Sequence, residues 1–406
     1  MTANVKLWEV ATLYDSLHKT PNSYIDNGYP MIRVTDVKRG FVNFEGTKKV
    51  GRSIYNEFSK KYKPEVGDVI FTRVGSYGNS CYVNKSFEFC LGQNTVCISP
   101  KQDLIHPYFL YIFLNSPQAK TQIESFISGS SQPTISLKNI KEIALQLPLK
   151  DVQKSRSNAI AAYDTLIENN NRRIVILEKI AQSIYKEWFI HFRFPGHENC
   201  KFKDSLFGKI PYSWSVGRIK DIGSVHTGKT PSKKKANYYN SNVIPFLKTP
   251  DMHGAIFAVD ISDYLSQDGA DSQKNKFIPE GSICVSCIGA RAGAVAITPF
   301  SLQTNQQINS VILNDTFWRE YLYLFCISLH DKIHAIGSSG ATMTNVSKGK
   351  FETIETLLPD EKILVMFSRF TKPLFDSILN LQLRNMNLKK QRDMLLPKLI
   401  SGEINV

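Results

Sequence analysis

Residues 67–83 read "GDVIFTRVGSYGNSCYV", and residues 281–297 read "GSICVSCIGARAGAVAI". Each stretch starts at a glycine, runs through apolar residues into a glycine-rich turn, and ends in a second apolar run. This order predicts two strands joined by a turn. The stretches begin at Gly67 and Gly281, which suggests that one folding unit occurs twice in the chain.

Four more pairs of segments repeat in the same order and at nearly the same separation. They are "YPMIRVTDV" (29–37) with "IPFLKTPDM" (244–252), "FLYIF" (109–113) with "YLYLF" (321–325), "ISGSSQPTIS" (127–136) with "IGSSGATMTN" (336–345), and "LQLPL" (145–149) with "TLLPD" (356–360). One order at nearly one separation indicates a duplication. The short alternating segments in both copies are typical of strands with a few helices.

A long helical pattern closes each copy, with apolar residues at steps of three and four as in a coiled coil. In the first helix, from residue 151 to 189, the predicted seam is Ile160, Tyr163, Ile167, Asn170, Ile174, Leu177, Ala181, Ile184 and Trp188. In the second helix the predicted seam is Leu374, Ile378, Leu381, Leu388 and Leu395, interrupted by Asn385 and Arg392. We expect the two helices to bury these seams on each other and to act as a spacer.

Two residues on these helices have specific expected effects. Asn170 is polar on the seam, and such a residue can fix the register and the number of helices. Pro373 lacks a backbone N–H, so we expect it to kink or start the second helix. Residues 191–214 between the copies are rich in Gly, Pro and charge, which is typical of a linker.

The composition indicates a globular protein with an anionic partner. The chain has 406 residues, 42% of them apolar, and its formal net charge is +14, which favours a polyanionic partner, either nucleic acid or an anionic membrane. There is no apolar signal core and no stretch of about 20 apolar residues, so we expect a cytoplasmic protein with reduced thiols. Cys284 and Cys287 lack two further ligands at matching spacing, which predicts buried strand cysteines and no metal site.

Residues 223–230, "GSVHTGKT", fit the phosphate-binding loop of nucleotide hydrolases. A buried strand should precede such a loop and a helix should follow it, and the flanking sequence predicts neither. The equivalent segment of the first copy, "YDSLHKTPNS" (14–23), lacks both glycines of the pattern. Nucleotide binding is therefore the less favoured alternative, and we expect Lys229, Lys233, Lys234 and Lys235 to contact an external polyanion.

Duplex DNA suits two similar domains on a spacer, because a spacer of fixed length would select a fixed gap between two half-sites. The expected reading loops are the polar turns after the matched strands, since Arg, Asn and Gln read base edges and Ser, Thr and Lys mostly grip phosphate. These residues are Arg73, Ser76, Tyr77, Asn79, Ser130, Ser131 and Gln132 in the first copy, and Arg291, Ser338, Ser339 and Thr342 in the second. We find no motif for a methyltransferase, nuclease, metalloprotease or serine hydrolase site, and predict no catalytic residue.

Five segments together resemble the specificity subunit of type I restriction-modification systems. They are "GDVIFTRVGSYGN", "SGSSQPTISLKNIKEIALQLP", "NRRIVILEKIAQSIYKEWFIHFRFPGHE", "GKIPYSWSVGRIKDIG" and "KKQRDMLLPKLISGEI". The resemblance implies an α+β fold with a pseudo-twofold internal repeat. Two similar target-recognition domains would be separated by two long antiparallel α-helices that form a coiled coil. The corresponding ranges are 1–148 for the first domain, 149–190 for the first helix, 191–212 for the linker, 213–359 for the second domain, and 360–406 for the second helix and tail.

The same resemblance implies a non-catalytic subunit that binds a bipartite site on double-stranded DNA. It would dock two methyltransferase subunits on helices 151–189 and 361–399 and in the adjoining linker, and motor-nuclease subunits would then join. S-adenosylmethionine, ATP and Mg would be bound by these partners and no cofactor by this chain. A coiled-coil adaptor with incidental basic charge remains the alternative from another class, beside the nucleotide-binding alternative.

Overall fold

A computed structural model describes residues 3–128, 132–239, 241–337 and 344–404. The chain divides into two compact units. Unit 1 comprises Met1–Asn169 and Asn387–Val406, and unit 2 comprises Asn170–Met386. Each unit therefore contains one copy of the repeat together with part of both long helices.

Unit 1 is built from short strands and helices. Its strands are β1 (Ala3–Lys6), β2 (Ala11–Asp15), β3 (Tyr29–Ile32), β4 (Lys49–Val50), β5 (Val69–Thr72), β6 (Ser80–Tyr82), β7 (Cys90–Leu91), β8 (Thr95–Pro100) and β9 (Ala144–Leu147). Its helices are α1 (Leu7–Val10), α2 (Arg52–Phe58), α3 (Pro107–Leu114), α4 (Pro117–Ser125), α5 (Leu137–Lys141) and the first part of α6 (Lys150–Tyr185). An antiparallel sheet has the order β2-β8-β5-β6, a smaller sheet has the order β4-β3-β7 with β3 and β7 parallel, and β1 pairs with β9.

Unit 2 repeats this plan after a hairpin of β10 (Phe202–Ser205) and β11 (Gly208–Pro211). Its further strands are β12 (Ser215–Arg218), β13 (Gly223–Thr227), β14 (Ile244–Leu247), β15 (Tyr264–Leu265), β16 (Phe277–Ile278), β17 (Ile283–Ser286), β18 (Val295–Ile297), β19 (Leu302–Thr304), β20 (Ile308–Leu313) and β21 (Glu355–Leu358). Its helices are α7 (Ile219–Ile222), α8 (Gln267–Asp271), α9 (Arg319–Ser328), α10 (His330–Gly337), α11 (Lys348–Glu352) and part of α12 (Glu361–Ser401).

The sheets of unit 2 follow the plan of unit 1, with β16 as an added strand. The larger sheet has the order β13-β20-β17-β18, the smaller has the order β15-β14-β19-β16 with β14 and β19 parallel, and β12 pairs with β21. The parallel pair is the informative feature, because the same pairing occurs at the same place in both units. The predicted duplication and mixed fold are confirmed.

The central strands β5 and β17 are buried on both faces, which explains why their sequences read as apolar runs. In β17, Ile283 and Val285 lie in one hydrophobic cluster and Cys284 lies in another on the opposite face of the strand. Cys287 follows the strand and is also buried. Burial raises the pKa of Cys284 to about 12 and that of Cys287 to about 11, so both thiols stay protonated at neutral pH. Among the described residues, no group of His, Cys, Asp and Glu could hold a metal ion.

The long helices α6 and α12 run antiparallel within each unit. In unit 1, Ile160 packs in the cluster that contains Leu396 and Leu399, and Arg392 Nη1 lies 2.5 Å from Asp164 Oδ1. In unit 2, the rings of Trp188 and Phe367 are 5.8 Å apart. Helix α6 ends at Tyr185 and continues as a π-helical turn over Lys186–Ile190. Of the helices in the described ranges, none is both long and apolar enough to span a bilayer.

The buried seam of α12 differs in detail from the predicted one. Phe375 and Leu396 are fully buried, whereas the predicted Leu374 and Leu395 are partly buried beside them. The fully buried residues of the first part of α12 are Leu364, Phe367, Thr371, Phe375 and Ile378. These residues are spaced by 3, 4, 4 and 3, so the buried pattern repeats every eleven residues. An eleven-residue repeat is closer to the 3.6 residues per turn of a straight α-helix than a seven-residue repeat is.

The other predicted seam positions are buried to different degrees. Ile160, Ile167, Ile378 and Leu381 are buried, and Asn170, Ile174, Leu177, Ile184 and Leu388 are partly buried. Pro373 was predicted to kink or start the second helix. It does not start the helix, because α12 begins at Glu361 and passes through it, and a kink stays a prediction. Pro373 is exposed, so the carbonyl group that loses its partner there can be hydrated.

Candidate nucleic-acid interface

In unit 1 the two predicted reading loops lie side by side. The turn between β5 and β6 is tied to the segment before α5, because Val74 forms a β-bridge with Thr134. The Gly75 N–H donates to the Pro133 carbonyl at 3.3 Å, and the Ile135 N–H donates to the Arg73 carbonyl at 3.0 Å. Two segments that are distant in sequence thus form one continuous edge of the unit. The predicted Ser130 and Ser131 lie outside the described residues.

Unit 2 repeats this arrangement in the turn between β17 and β18. Ile288 forms a β-bridge with Asn345, and the Gly289 N–H donates to the Thr344 carbonyl at 2.9 Å. The Val346 N–H donates to the Cys287 carbonyl at 2.9 Å, as the Ile135 N–H does to Arg73 in unit 1. The predicted Ser338, Ser339 and Thr342 fall outside the described residues.

A third loop lies against each of these turns, and sequence reasoning missed it. In unit 1 it precedes β8, where the Gly92 N–H donates to the Ile32 carbonyl at 2.8 Å and the Arg73 N–H donates to the Asn94 carbonyl at 2.9 Å. Both anchors flank Gln93, whose side chain is exposed. We call residues 92–94 the glutamine loop of unit 1.

Residues 305–307 form the glutamine loop of unit 2, and the same two backbone bonds hold it. The Asn305 N–H donates to the Leu247 carbonyl at 3.2 Å, and the Cys287 N–H donates to the Gln307 carbonyl at 2.8 Å. Gln306 lies between these anchors and is exposed. The available sequence signal is the alignment of "LGQNTV" (91–96) with "TNQQIN" (304–309), in which the glutamine is the single identity.

A fourth segment, just after β2 or β13, contacts each glutamine loop. The Thr20 hydroxyl donates to Gln93 Oε1 at 3.4 Å, and the Thr230 hydroxyl donates to Gln306 Oε1 at 2.6 Å. Backbone bonds from Gly228 to the Ile308 carbonyl and from Lys229 to the Thr304 carbonyl fix this segment in unit 2. These contacts bring four separate segments onto one face of each unit.

The phosphate-loop alternative is not supported by this geometry. Residues Gly223–Thr227 form the edge strand β13, and no α-helix begins in residues 231–239. The backbone N–H groups of Gly228 and Lys229 donate to protein carbonyls, whereas a phosphate loop points such groups at its ligand. A Cβ on residue 228 would overlap the Asn305 carbonyl oxygen, so the glycine is required for packing.

Arg73 is engaged within unit 1. Its guanidinium donates to Asp15 Oδ2 at 2.7 Å and to the Ile135 carbonyl at 3.2 Å, and 14% of its side chain is exposed. These bonds tie the end of β2 to the reading turn. Tyr77 is partly buried, whereas Ser76, Asn79, Gln132 and, in unit 2, Arg291 are exposed. Contact of these residues with DNA stays a prediction.

The face of unit 2 carries positive charge. Lys229, Lys233, Lys234 and Lys235, which follow β13, are all exposed. A fifth lysine, Lys276, donates to the Thr227 carbonyl at 3.0 Å. Burial lowers the pKa of His226 nearby, and Lys348 and Lys276 lower it further. His226 is therefore neutral at pH 7, and the lysine charges around it favour an anion at this face.

A match to the family described as "Type I restriction modification DNA specificity domain" covers residues 3–179 and 211–384, once for each copy of the repeat. The chain belongs to the type I restriction-modification DNA specificity family. The predicted resemblance is thus confirmed, and the adaptor and nucleotide-binding alternatives are not favoured. As a specificity subunit the chain is the non-catalytic, DNA-recognising component of a restriction-modification system.

Named relatives agree with this family assignment. The type I restriction enzyme HindI specificity subunit of Haemophilus influenzae is 28% identical over 400 residues, covering 83% of this chain and 86% of that protein. The MjaIX specificity subunit of Methanocaldococcus jannaschii is 28% identical over 317 residues, covering 76% of this chain and 71% of that protein. The crystal structure of the type I S subunit from M. genitalium has a TM-score of 0.56 at 14% identity and covers 98% of this chain and 96% of that chain, which shows a shared fold.

Proposed function

We propose that this specificity subunit reads a bipartite site on double-stranded DNA, with one half-site contacted by each unit. The observation that carries the proposal is the recurrence of the same four-segment face in both units, down to equivalent backbone hydrogen bonds. A face that is built twice suits two similar binding events on one ligand. Because the exposed side chains differ between the faces, the two half-sites should differ in sequence.

The partners and cofactors follow from the family role. We infer that helices α6 and α12 and the linker dock two methyltransferase subunits, and that motor-nuclease subunits join this assembly. S-adenosylmethionine, ATP and Mg would be bound by those subunits and none of them by this chain. The cellular site of action would be the cytoplasm, where the DNA lies.

Selection from a duplex library that contains two randomised blocks separated by gaps of several lengths tests the proposal. The full chain, assembled with its methyltransferase subunits, should enrich two short sequences at one fixed gap. Its affinity should fall linearly with salt on logarithmic axes, because phosphate contacts release counterions. Enrichment of a single block, or of no sequence at any salt concentration, would contradict the proposal.

The lysines of unit 2 provide a second measurement in the same assay. Replacing Lys233, Lys234 and Lys235 with alanine should lower the salt slope by about three, roughly one per phosphate contact, without changing the selected sequence. The matched control is Lys101→Ala, since Lys101 is also exposed but follows β8 at the end of that strand opposite the glutamine loop. Equal slopes for both variants would remove these lysines from the DNA contact.

A further inference from the structure

The four-segment face of each unit carries an exposed glutamine whose amide oxygen contacts a threonine hydroxyl. Gln93 and Gln306 occupy equivalent positions, each between two residues whose backbones are hydrogen-bonded to neighbouring segments. A threonine hydroxyl donates to each Oε1 atom. The contact is 2.6 Å long in unit 2 and 3.4 Å long in unit 1, so Gln306 is the more firmly oriented of the two and loses less conformational entropy when it binds a ligand.

The hydrogen-bonding capacity that remains on each glutamine matches one base edge. An amide oxygen accepts two hydrogen bonds, so one lone pair stays open beside the threonine bond. Within the described ranges, the Nε2 group of neither glutamine donates to a protein atom. An acceptor next to a donor is the pattern that pairs with N6 and N7 of adenine in the major groove.

We propose that Gln93 and Gln306 are specificity-determining residues, each reading one adenine in the half-site of its own unit. Thr20 and Thr230 are positioning residues that orient the amides. This inference rests on the proposed function, and it adds the residue and the base. Arg73, one of the predicted reading residues, donates to Asp15 Oδ2 at 2.7 Å within unit 1.

The surroundings of the glutamines favour base reading over phosphate contact. A neutral amide adds little to phosphate affinity, whereas the exposed Lys229 lies next to Thr230 and supplies charge in unit 2. In unit 1, Lys19 lies next to Thr20 and is ion-paired with Glu57. In unit 1, backbone hydrogen bonds hold the loop on both sides of Gln93, and Asn94, one of these anchors, adopts a left-handed backbone conformation with φ of 67°. Such placement gives the geometric precision that a bidentate base contact needs.

The test uses the duplex library and the full chain assembled with its methyltransferase subunits. Gln93→Ala and Gln306→Ala should each relax one base position in one half-site, with a loss of discrimination of about 5- to 150-fold. Gln93→Glu and Gln306→Glu should shift the preferred base from adenine to cytosine, because a carboxylate accepts from cytosine N4 and cannot donate to adenine N7. Thr20→Val and Thr230→Val should weaken the discrimination without changing the preferred base.

Matched controls are Gln118→Ala in unit 1 and Gln267→Ala in unit 2, both exposed glutamines outside the faces. Thermal unfolding of every variant identifies loss of folding, and the Glu variants retain a readout because their preference changes instead of vanishing. The inference is overturned if the Gln93 and Gln306 variants select the same sequences as the controls, or if they weaken all sequences equally. If the unsubstituted complex selects no sequence at all, the proposed function fails as well, so the two failures are distinct.

Discussion

Asn385 accepts a hydrogen bond from the Asn170 amide and donates one to Asn171 Oδ1, both at 2.8 Å. Asn385 is buried on α12 within unit 2. A buried amide is costly when it lacks a partner. The helices are therefore most stable in the register that brings these asparagines together, and a slip of one turn would leave Asn385 among apolar side chains.

Asn385→Leu should lower the free energy of unfolding by about 1–3 kcal/mol, because Asn170 loses its acceptor and the larger side chain must fit the same site. Asn170→Leu combined with Asn385→Leu should recover part of this loss, since both polar groups are then removed. Urea unfolding of the single and double variants measures the coupling. Strict additivity of the two changes would show that the bond does not set the helix register. Asn387→Leu, an exposed change on the same helix, is the control.

The buried ion pair in unit 1 should be sensitive to removal of one partner. Arg392 pairs with Asp164, which also accepts a 2.5 Å hydrogen bond from the Tyr108 hydroxyl. Burial, and then the charge of Asp164, raise the pKa of Tyr108, so its proton stays in this bond. Arg392→Met should cost about 3–5 kcal/mol because it leaves the Asp164 carboxylate buried without a cation. Unfolding in urea gives the measurement.

Removing both charges with Asp164→Leu and Arg392→Met should restore most of that stability. Arg193→Met, which breaks the exposed pair between Arg193 and Glu187, should change stability little. If the double variant is as unstable as Arg392→Met alone, the cost arises from lost packing around Arg392 and not from an unpaired carboxylate.

Gly228→Ala should destabilise unit 2 by about 1–3 kcal/mol through overpacking. A Cβ at this position has no room beside the backbone of Thr304 and Asn305. Gly349→Ala is the matched control, because no atom lies within 4 Å of a Cβ at residue 349. Thermal unfolding of the two variants makes the comparison. Equal unfolding temperatures for the two variants would show that the backbone at Thr304 and Asn305 moves away from the new methyl group without loss of stability.

Maleimide should modify one cysteine in the native protein at pH 7. Cys200 is partly exposed, and the other six cysteines are buried. Burial raises the pKa of Cys81, Cys90 and Cys284 to about 12, and the thiolate is the reactive form. Peptide mapping by mass spectrometry identifies the site, and rapid modification of Cys287 would contradict the buried environment.

The sequence predicted the repeat and the long helices because both depend on periodic apolar residues. It missed that Phe375 is buried in place of Leu374, since a one-residue change of phase depends on how two helices pack. It did not predict the bond between Arg73 and Asp15, because the two residues are distant along the chain and the sequence gives no sign of that pairing. Gln93 was not predicted as a site residue because it lies outside the five matched segments, and Gln306 is the only identical residue in the aligned stretch around it.

Unit 1 includes Asn387–Val406 as well as Met1–Asn169. During synthesis, Ile160 emerges from the ribosome long before Leu396 and Leu399, with which it packs. Unit 1 therefore cannot complete its fold, and part of its apolar surface stays exposed, until translation has passed Leu399. If translation stops before that point, the apolar surface stays exposed, and chaperones and proteases can recognise the incomplete chain. Folding of the N-terminal domain therefore depends on complete synthesis of the C-terminal helix.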